Sequence, residues 1–132
     1  MSDFYKKDKG LVIAIDFDGT CVKHKYPLIG EDIGAIPVLK ELIDKGHSLI
    51  LYTMRDGYQL EEALDWFKDN EIPLYSYQIN PTQDTWTTSN KCYAHTYIDD
   101  AGLGCPLITP KDERPWVDWK EVRNILKRRY IL

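Results

Sequence analysis

The sequence predicts an α/β fold: a three-layer αβα sandwich on a doubly wound parallel sheet, with residues 1–132 forming one domain. Three observations lead there. Short apolar runs alternate with amphipathic helical patterns, and that alternation means a parallel sheet with helices packed on it. The runs are continuous rather than alternating, as in strands buried on both faces. A chain of 132 residues suits one domain with one core.

The elements follow in order. Leu11 to Ile15 (LVIAI) reads as the first strand, ending at Asp16. Pro37 suits a first helical position, with Val38, Leu39, Leu42 and Ile43 on one face and Gly46 as the stop. His47 to Thr53 (HSLILYT) is the second strand. Leu60, Ala63, Leu64 and Phe67 form the stripe of a second helix that ends near Asn70 and Pro73. Leu74 to Ile79 is a weaker third strand, and His95 to Ile98 a fourth that runs into Asp99 and Asp100. Asp118 and Glu121 have capping-box spacing ahead of Val122, Ile125 and Leu126, which places a last helix. Gly19 to Ile36 and Asn80 to Asn90 remain irregular, and long loops in a compact domain are often functional.

Composition narrows the function. A net charge of -4 gives no footprint for non-specific nucleic-acid binding, and no motif for sequence-specific binding is present. Lys127, Arg128 and Arg129 form a local basic cluster, which reads as a solvated helix end. No apolar run approaches a membrane span, and the charged start MSDFYKKDKG does not read as a signal peptide. Cys21, Cys92 and Cys105 are odd in number and widely spaced, as expected of free thiols in a reducing cytoplasm.

Four segments carry chemistry. Asp16-Phe17-Asp18-Gly19-Thr20 follows the first strand, and ligands of open parallel sheets bind beyond the carboxyl ends of strands. One carboxylate there can attack and a second can donate a proton, while Gly19 lets the backbone approach a ligand. The plain alternative is an Asx-type turn. Thr53 ends the second strand, where its hydroxyl and the Met54 amide can hold phosphate oxygens; otherwise it bonds its own turn. Lys91 precedes the fourth strand and suits a phosphoryl oxygen or crowded carboxylates, although a lone loop lysine is usually solvated. Asp99-Asp100 ends that strand, and adjacent acids at a sheet rim repel unless a cation such as Mg2+ compensates them.

In this order the four segments resemble the haloacid dehalogenase (HAD) superfamily, over roughly Leu11 to Gly102. TCVKHKYPLIGE, TMRDG, YIDDAG and the C-terminal PWVDW further resemble a group of small bacterial and phage hydrolases within it. The resemblance implies a Rossmann-like core and a magnesium-dependent phosphohydrolase acting through an aspartyl-phosphate. Asp16 would be nucleophile and metal ligand. Asp18 would be general acid/base, its carbonyl also on the metal. Thr53 and Lys91 would hold the phosphoryl group. Asp100 would be the direct metal ligand with Asp99 in support, though the pair varies across the superfamily. Arg55 would contact substrate, or else form a surface ion pair.

Many superfamily members insert a cap domain after the first motif or before the lysine. Neither gap here has room for one, so the reading is a capless form. An open site suits a phosphorylated small molecule, an exposed phosphate on a macromolecule, or closure by a neighbouring copy in a homo-oligomer. His24, Lys25, Tyr26 and Trp86 lie in the two loops as candidate substrate contacts or loop anchors. Two other readings stand beside this one. A response-regulator receiver would need an Asp at the end of the third strand, where Ile79-Asn80-Pro81 stands. A non-catalytic phosphate-binding or interaction protein could use the same fold.

Overall fold

The computed structural model describes residues 10–132; the charged segment before Gly10 lies outside them. Four strands form one all-parallel sheet: β1 (Val12–Ile15), β2 (Ser48–Leu51), β3 (Ser76–Tyr77) and β4 (Thr96–Ile98), in the order β3-β2-β1-β4. The expected α/β sandwich on a doubly wound parallel sheet is therefore present, with β1 between β2 and β4. Strands β3 and β4 are shorter than their apolar runs suggest.

Strand order sets the faces. The chain steps one way from β1 through α1 (Ala35–Asp44) to β2, and on through α2 (Gly57–Asp69) to β3. Right-handed crossovers then place both helices on one face. The helix α3 (Trp119–Arg128) packs beside α1. Buried residues of all three helices, Leu39, Phe67 and Leu126 among them, form one cluster with Ile13, Ile15, Leu49, Leu51 and Ile98. The return from β3 to β4 crosses the opposite face, where Ala14 and Ile50 are buried. There the Tyr97 hydroxyl donates to the carbonyl of Cys92 at 2.6 Å. The third layer is thus the segment 78–95 with one short 3-10 turn, rather than a helix. Among the described residues no cap covers the sheet.

Local chemistry explains the boundaries. Helix α1 begins two residues before Pro37, because Gly34 at φ 97° makes the turn into it. Gly46, at φ 91°, ends it as expected, with its N–H donating to the carbonyl of Ile43. Asp118 caps α3, its carboxylate accepting from the Glu121 N–H at 3.3 Å, while the reciprocal bond of a capping box is replaced by the Asp118 N–H donating to the Pro106 carbonyl. One feature was not legible in the sequence: a two-stranded antiparallel ladder of β5 (Leu107–Ile108) and β6 (Trp116–Val117).

This last region braces the segment after β1. The N–H of Val117 donates to the carbonyl of Gly19, and the buried Trp119 indole N–H donates to the carbonyl of Thr20 at 2.7 Å. Trp119→Phe keeps the apolar ring but leaves that carbonyl without its donor. The expected loss in urea unfolding is about 1–3 kcal/mol, the penalty for an unsatisfied buried acceptor. A variant as stable as the parent would mean water replaces the indole.

Candidate active site

The winding reverses between β1 and β4, and the crevice beyond their carboxyl ends is where open α/β sheets bind ligands. Asp16 leaves β1 there, and Asp99 and Asp100 leave β4. Ligand oxygens of all three lie within 4.8 Å of one another. Burial, then the nearby Asp99 charge, pushes the Asp16 carboxyl up from its ordinary 3.8 to about 8. Asp99 is likewise raised, by burial first and by Asp100. Both acids of the β4 pair thus reach Asp16.

The neighbours of this group are dipoles and one imidazole. The Thr20 hydroxyl donates to Asp16 Oδ2 at 2.8 Å, and its oxygen accepts from the Asp100 N–H at 3.1 Å. Thr20 is fully buried and was assigned no role from the sequence, although it closes the DFDGT motif. His24 Nε2 lies 2.8 Å from Asp100 Oδ2, so this flap residue does belong to the site. Gly19 sits beneath that pair at φ 78°, and a Cβ there would collide with both His24 Nε2 and Asp100 Oδ2. The close approach that its lack of a side chain permits is therefore to His24 and Asp100. Cys21 donates its thiol to the carbonyl of Asp16, and burial pushes that thiol well above its usual range.

Asp18 turns away from the three carboxylates. Its two oxygens accept from Arg55 Nε and Nη2, each at 2.8 Å. Arg55 is 1% exposed, and its other N–H groups go to the carbonyls of Leu28, Pro27 and Gln59. Five donors meet five acceptors, so none is left for a ligand. This corrects the reading of Arg55 as a substrate contact or a surface ion pair. Its guanidinium is a buried clamp that joins Asp18, the flap and the start of α2. Nothing in the segment TMRDG tells a buried arginine from an exposed one.

Thr53 makes the plainer of its two expected contacts. Its oxygen accepts from the Arg55 N–H at 3.1 Å, which leaves the hydroxyl proton to offer. Gln78, unforeseen from sequence and at φ 64°, clamps the Thr53 backbone: its side-chain oxygen accepts from the Thr53 N–H and its amide donates to the Thr53 carbonyl. The carboxamide so acts as one more residue of a neighbouring strand. The Met54 side chain projects into solvent at 97% exposure.

Lys91 is not brought to the carboxylates. Its Nζ lies 5.5 Å from the centre of the Tyr97 ring, and among the described residues it pairs with none of the three aspartates. Motif order correctly placed it before β4, but order does not say where the side chain points. Trp86 is edge-on to Tyr93 on that outer segment, and Lys25 is exposed, so neither adjoins the cluster. The flap itself is fixed: the Lys23 N–H donates to the Glu31 carbonyl, and Lys23 Nζ lies 3.3 Å from Glu113 and 4.4 Å from the Trp116 ring centre.

The donor set suits a hard dication. Three carboxylates within one ion's reach, with the Asp16 and Asp99 carboxyls pushed up by burial and by neighbouring acids, are what Mg2+ would compensate. Asp16, Asp99 and Asp100 would hold it. So the fold and site define an α/β protein with an acidic, oxygen-donor centre at its switch point.

Comparison with known proteins adds kinship. A conserved protein of Bacteroides thetaiotaomicron, known as a solved structure, is 34% identical over 91% of this chain and 92% of its own, with a TM-score of 0.75. The chain belongs to the same family as that protein. No protein-family model and no curated protein matches it.

The raised Asp16 carboxyl fixes a pH dependence. Between about pH 4 and pH 8 the unfolded chain ionises this group while the folded metal-free chain keeps its proton. The folded state binds more protons there, so stability falls as pH rises through that window and levels above it. Magnesium, which needs the ionised form, should raise the melting temperature more at pH 8 than at pH 5. Thermal melts with and without Mg2+ at both pH values check this, and Asp16→Asn should remove the pH-dependent part. Equal magnesium shifts at both pH values would contradict it.

Proposed function

We propose that this protein is a magnesium-dependent phosphohydrolase, a phosphomonoesterase working through an aspartyl-phosphate on Asp16. The gathering of Asp16, Asp99 and Asp100 at the switch point supports this reading most. Its order of motifs, resembling the haloacid dehalogenase superfamily, supports it from the sequence side.

The roles follow from what each group touches. Thr20 holds one Asp16 oxygen by hydrogen bond and so sets the direction of the other. That oxygen forms a bond to phosphorus as the bond to the leaving oxygen breaks. Asp18 gives the leaving oxygen its proton, then takes one from the water that attacks the aspartyl-phosphate and frees Asp16 and phosphate. Both Asp18 oxygens are engaged by Arg55, so one of those bonds opens for each proton movement. The Thr53 hydroxyl and the Met54 N–H hold phosphoryl oxygens. His24 orients Asp100. Bound magnesium supplies the charge that keeps Asp16 ionised and offsets the phosphoryl oxygens. Lys91 joins them only by leaving the Tyr97 ring.

The substrate is a phosphorylated small molecule or an exposed phosphate on a macromolecule. No helix among the described residues is long and apolar enough to cross a membrane. The three cysteines are all free, which suits a reducing cytoplasm.

Turnover of p-nitrophenyl phosphate with magnesium, lost with EDTA and lost in Asp16→Asn, is the expected result. Asp18→Asn should slow alkyl phosphates about 100- to 10,000-fold, the usual worth of general acid catalysis, and the aryl substrate much less. Equal slowing of both would remove Asp18 as the acid. Magnesium-tight phosphate binding without turnover would instead favour a non-catalytic phosphate-binding protein.

A further inference from the structure

We infer that the cavity lined by Trp86, Tyr93 and Tyr97 on the outer face of the sheet is a subsite for a planar, nucleobase-like ring, which makes a nucleoside monophosphate the substrate class. The inference rests on the phosphomonoesterase reading and deepens it.

The cavity has a volume of about 330 Å³, and Thr87, Ser89 and Lys91 complete its wall. That is the lower end of the range for small-ligand pockets. Its side chains are placed by direct contact. Trp86 and Tyr93 meet edge to face at 5.5 Å, and Lys91 Nζ lies 5.5 Å from the Tyr97 ring centre. The Tyr97 ring is fixed by its hydroxyl bond to the Cys92 carbonyl at 2.6 Å. Another side chain closes the loop that carries Trp86. The Gln83 carboxamide donates to the carbonyls of Ser89 and Lys91 and accepts from the Tyr93 N–H. The loop is thus held without the indole of Trp86, which is 63% exposed.

Strand register ties this cavity to the carboxylates. Ala14 pairs with Ile50 on one side and Tyr97 on the other. Side chains two residues further along a strand return to the same face. Two residues on from these three stand Asp16, Tyr52 and Asp99. The bonds from the Tyr52 N–H to the Ile15 carbonyl and from the Asp16 N–H to the Ile98 carbonyl carry the ladder to that row. Burial pushes the Tyr97 phenol up, and Cys92, Tyr52 and Tyr93 add to it, so Tyr52 stands between the cavity and Asp16 on this face. Asp99 lies about 7 Å along β4 from Tyr97, at about 3.3 Å per residue.

That separation decides the ligand. A ring bonded directly to the ester oxygen would fall short of Tyr97 and Trp86, whereas a ring carried on a sugar spans the gap. Aromatic side chains stack on the faces of planar bases. The Thr87 and Ser89 oxygens each accept a backbone N–H, which leaves both hydroxyl protons to donate to ring or sugar acceptors. The Lys91 ammonium suits a ligand that is anionic.

The test pairs adenosine 5′-monophosphate with ribose 5-phosphate, each hydrolysed by the full chain with magnesium. Both release a primary alkoxide from the same sugar position, so the chemical step is matched and the base is the difference. Stacking of one base should make kcat/KM roughly 5- to 150-fold higher for the nucleotide. Trp86→Ala, at an exposed position, should bring that ratio down toward one, and Trp86→Phe should keep most of it. Adenosine with EDTA present should quench tryptophan fluorescence saturably in the parent and not in Trp86→Ala, while ribose leaves the signal unchanged. Equal kcat/KM for the two esters, or a ratio that Trp86→Ala leaves intact, overturns the subsite while hydrolysis itself stands. If neither ester is hydrolysed, adenosine binding decides. Binding that depends on Trp86 keeps the subsite and overturns only the hydrolase reading, and absence of binding overturns both.

Discussion

Three carboxylates share a space under 4.8 Å across at the end of β1 and β4, and much of the surrounding structure serves to keep them there. Left alone they would repel and seek water. Here the neutral Asp16 is favoured by burial, Thr20 bridges Asp16 to the backbone of Asp100, and His24 takes one Asp100 oxygen. Those partners need a tight bend after β1, so Gly19 is left-handed and Cβ-free, and the bend is anchored from behind by Val117 and Trp119. A helix at the far end of the chain thereby fixes the site at its beginning. Under the proposed function, a cation that prefers oxygen ligands would hold all three ionised.

The second support is the Arg55 clamp. An unpaired buried guanidinium would be strongly unfavourable, and this one avoids that by meeting five acceptors, two of them on Asp18. Its partners lie on the β1 end, the flap and the first turn of α2. The flap is held by this side chain together with Lys23, whose N–H donates to the Glu31 carbonyl. Asp18 is fixed with it, so the position of the proposed acid depends on the flap as much as on β1. The Gln78 carboxamide does the matching service for the Thr53 backbone on the other side.

The acids were legible in the sequence because strand ends are legible: continuous apolar runs stop at Asp16 and Asp99, and parallel sheets bring such ends to one edge. Helix α3 was readable from the capping-box spacing of Asp118 and Glu121. What failed depended on side-chain direction. Lys91 stands where the motif order puts it, yet its ammonium rests on Tyr97 across the outer face of the sheet. Arg55 read as a substrate contact or a surface ion pair because burial of a charge is decided by partners far along the chain. The β5–β6 ladder is two residues per strand, too short to show a period, and the outer layer is irregular because 78–95 is pinned by side chains such as Asn80 and Gln83 instead of helical bonds.

The central claim is that Asp16 itself carries the phosphoryl group, and borohydride trapping tests it most directly. During steady turnover of a phosphomonoester with magnesium, borohydride reduces an acyl phosphate to the alcohol, converting that aspartate to homoserine. Peptide mass mapping should then find homoserine at position 16, dependent on both substrate and magnesium, with Asp18, Asp99 and Asp100 unchanged. Sustained turnover with position 16 unmodified, or with the mark on another aspartate, would contradict the account.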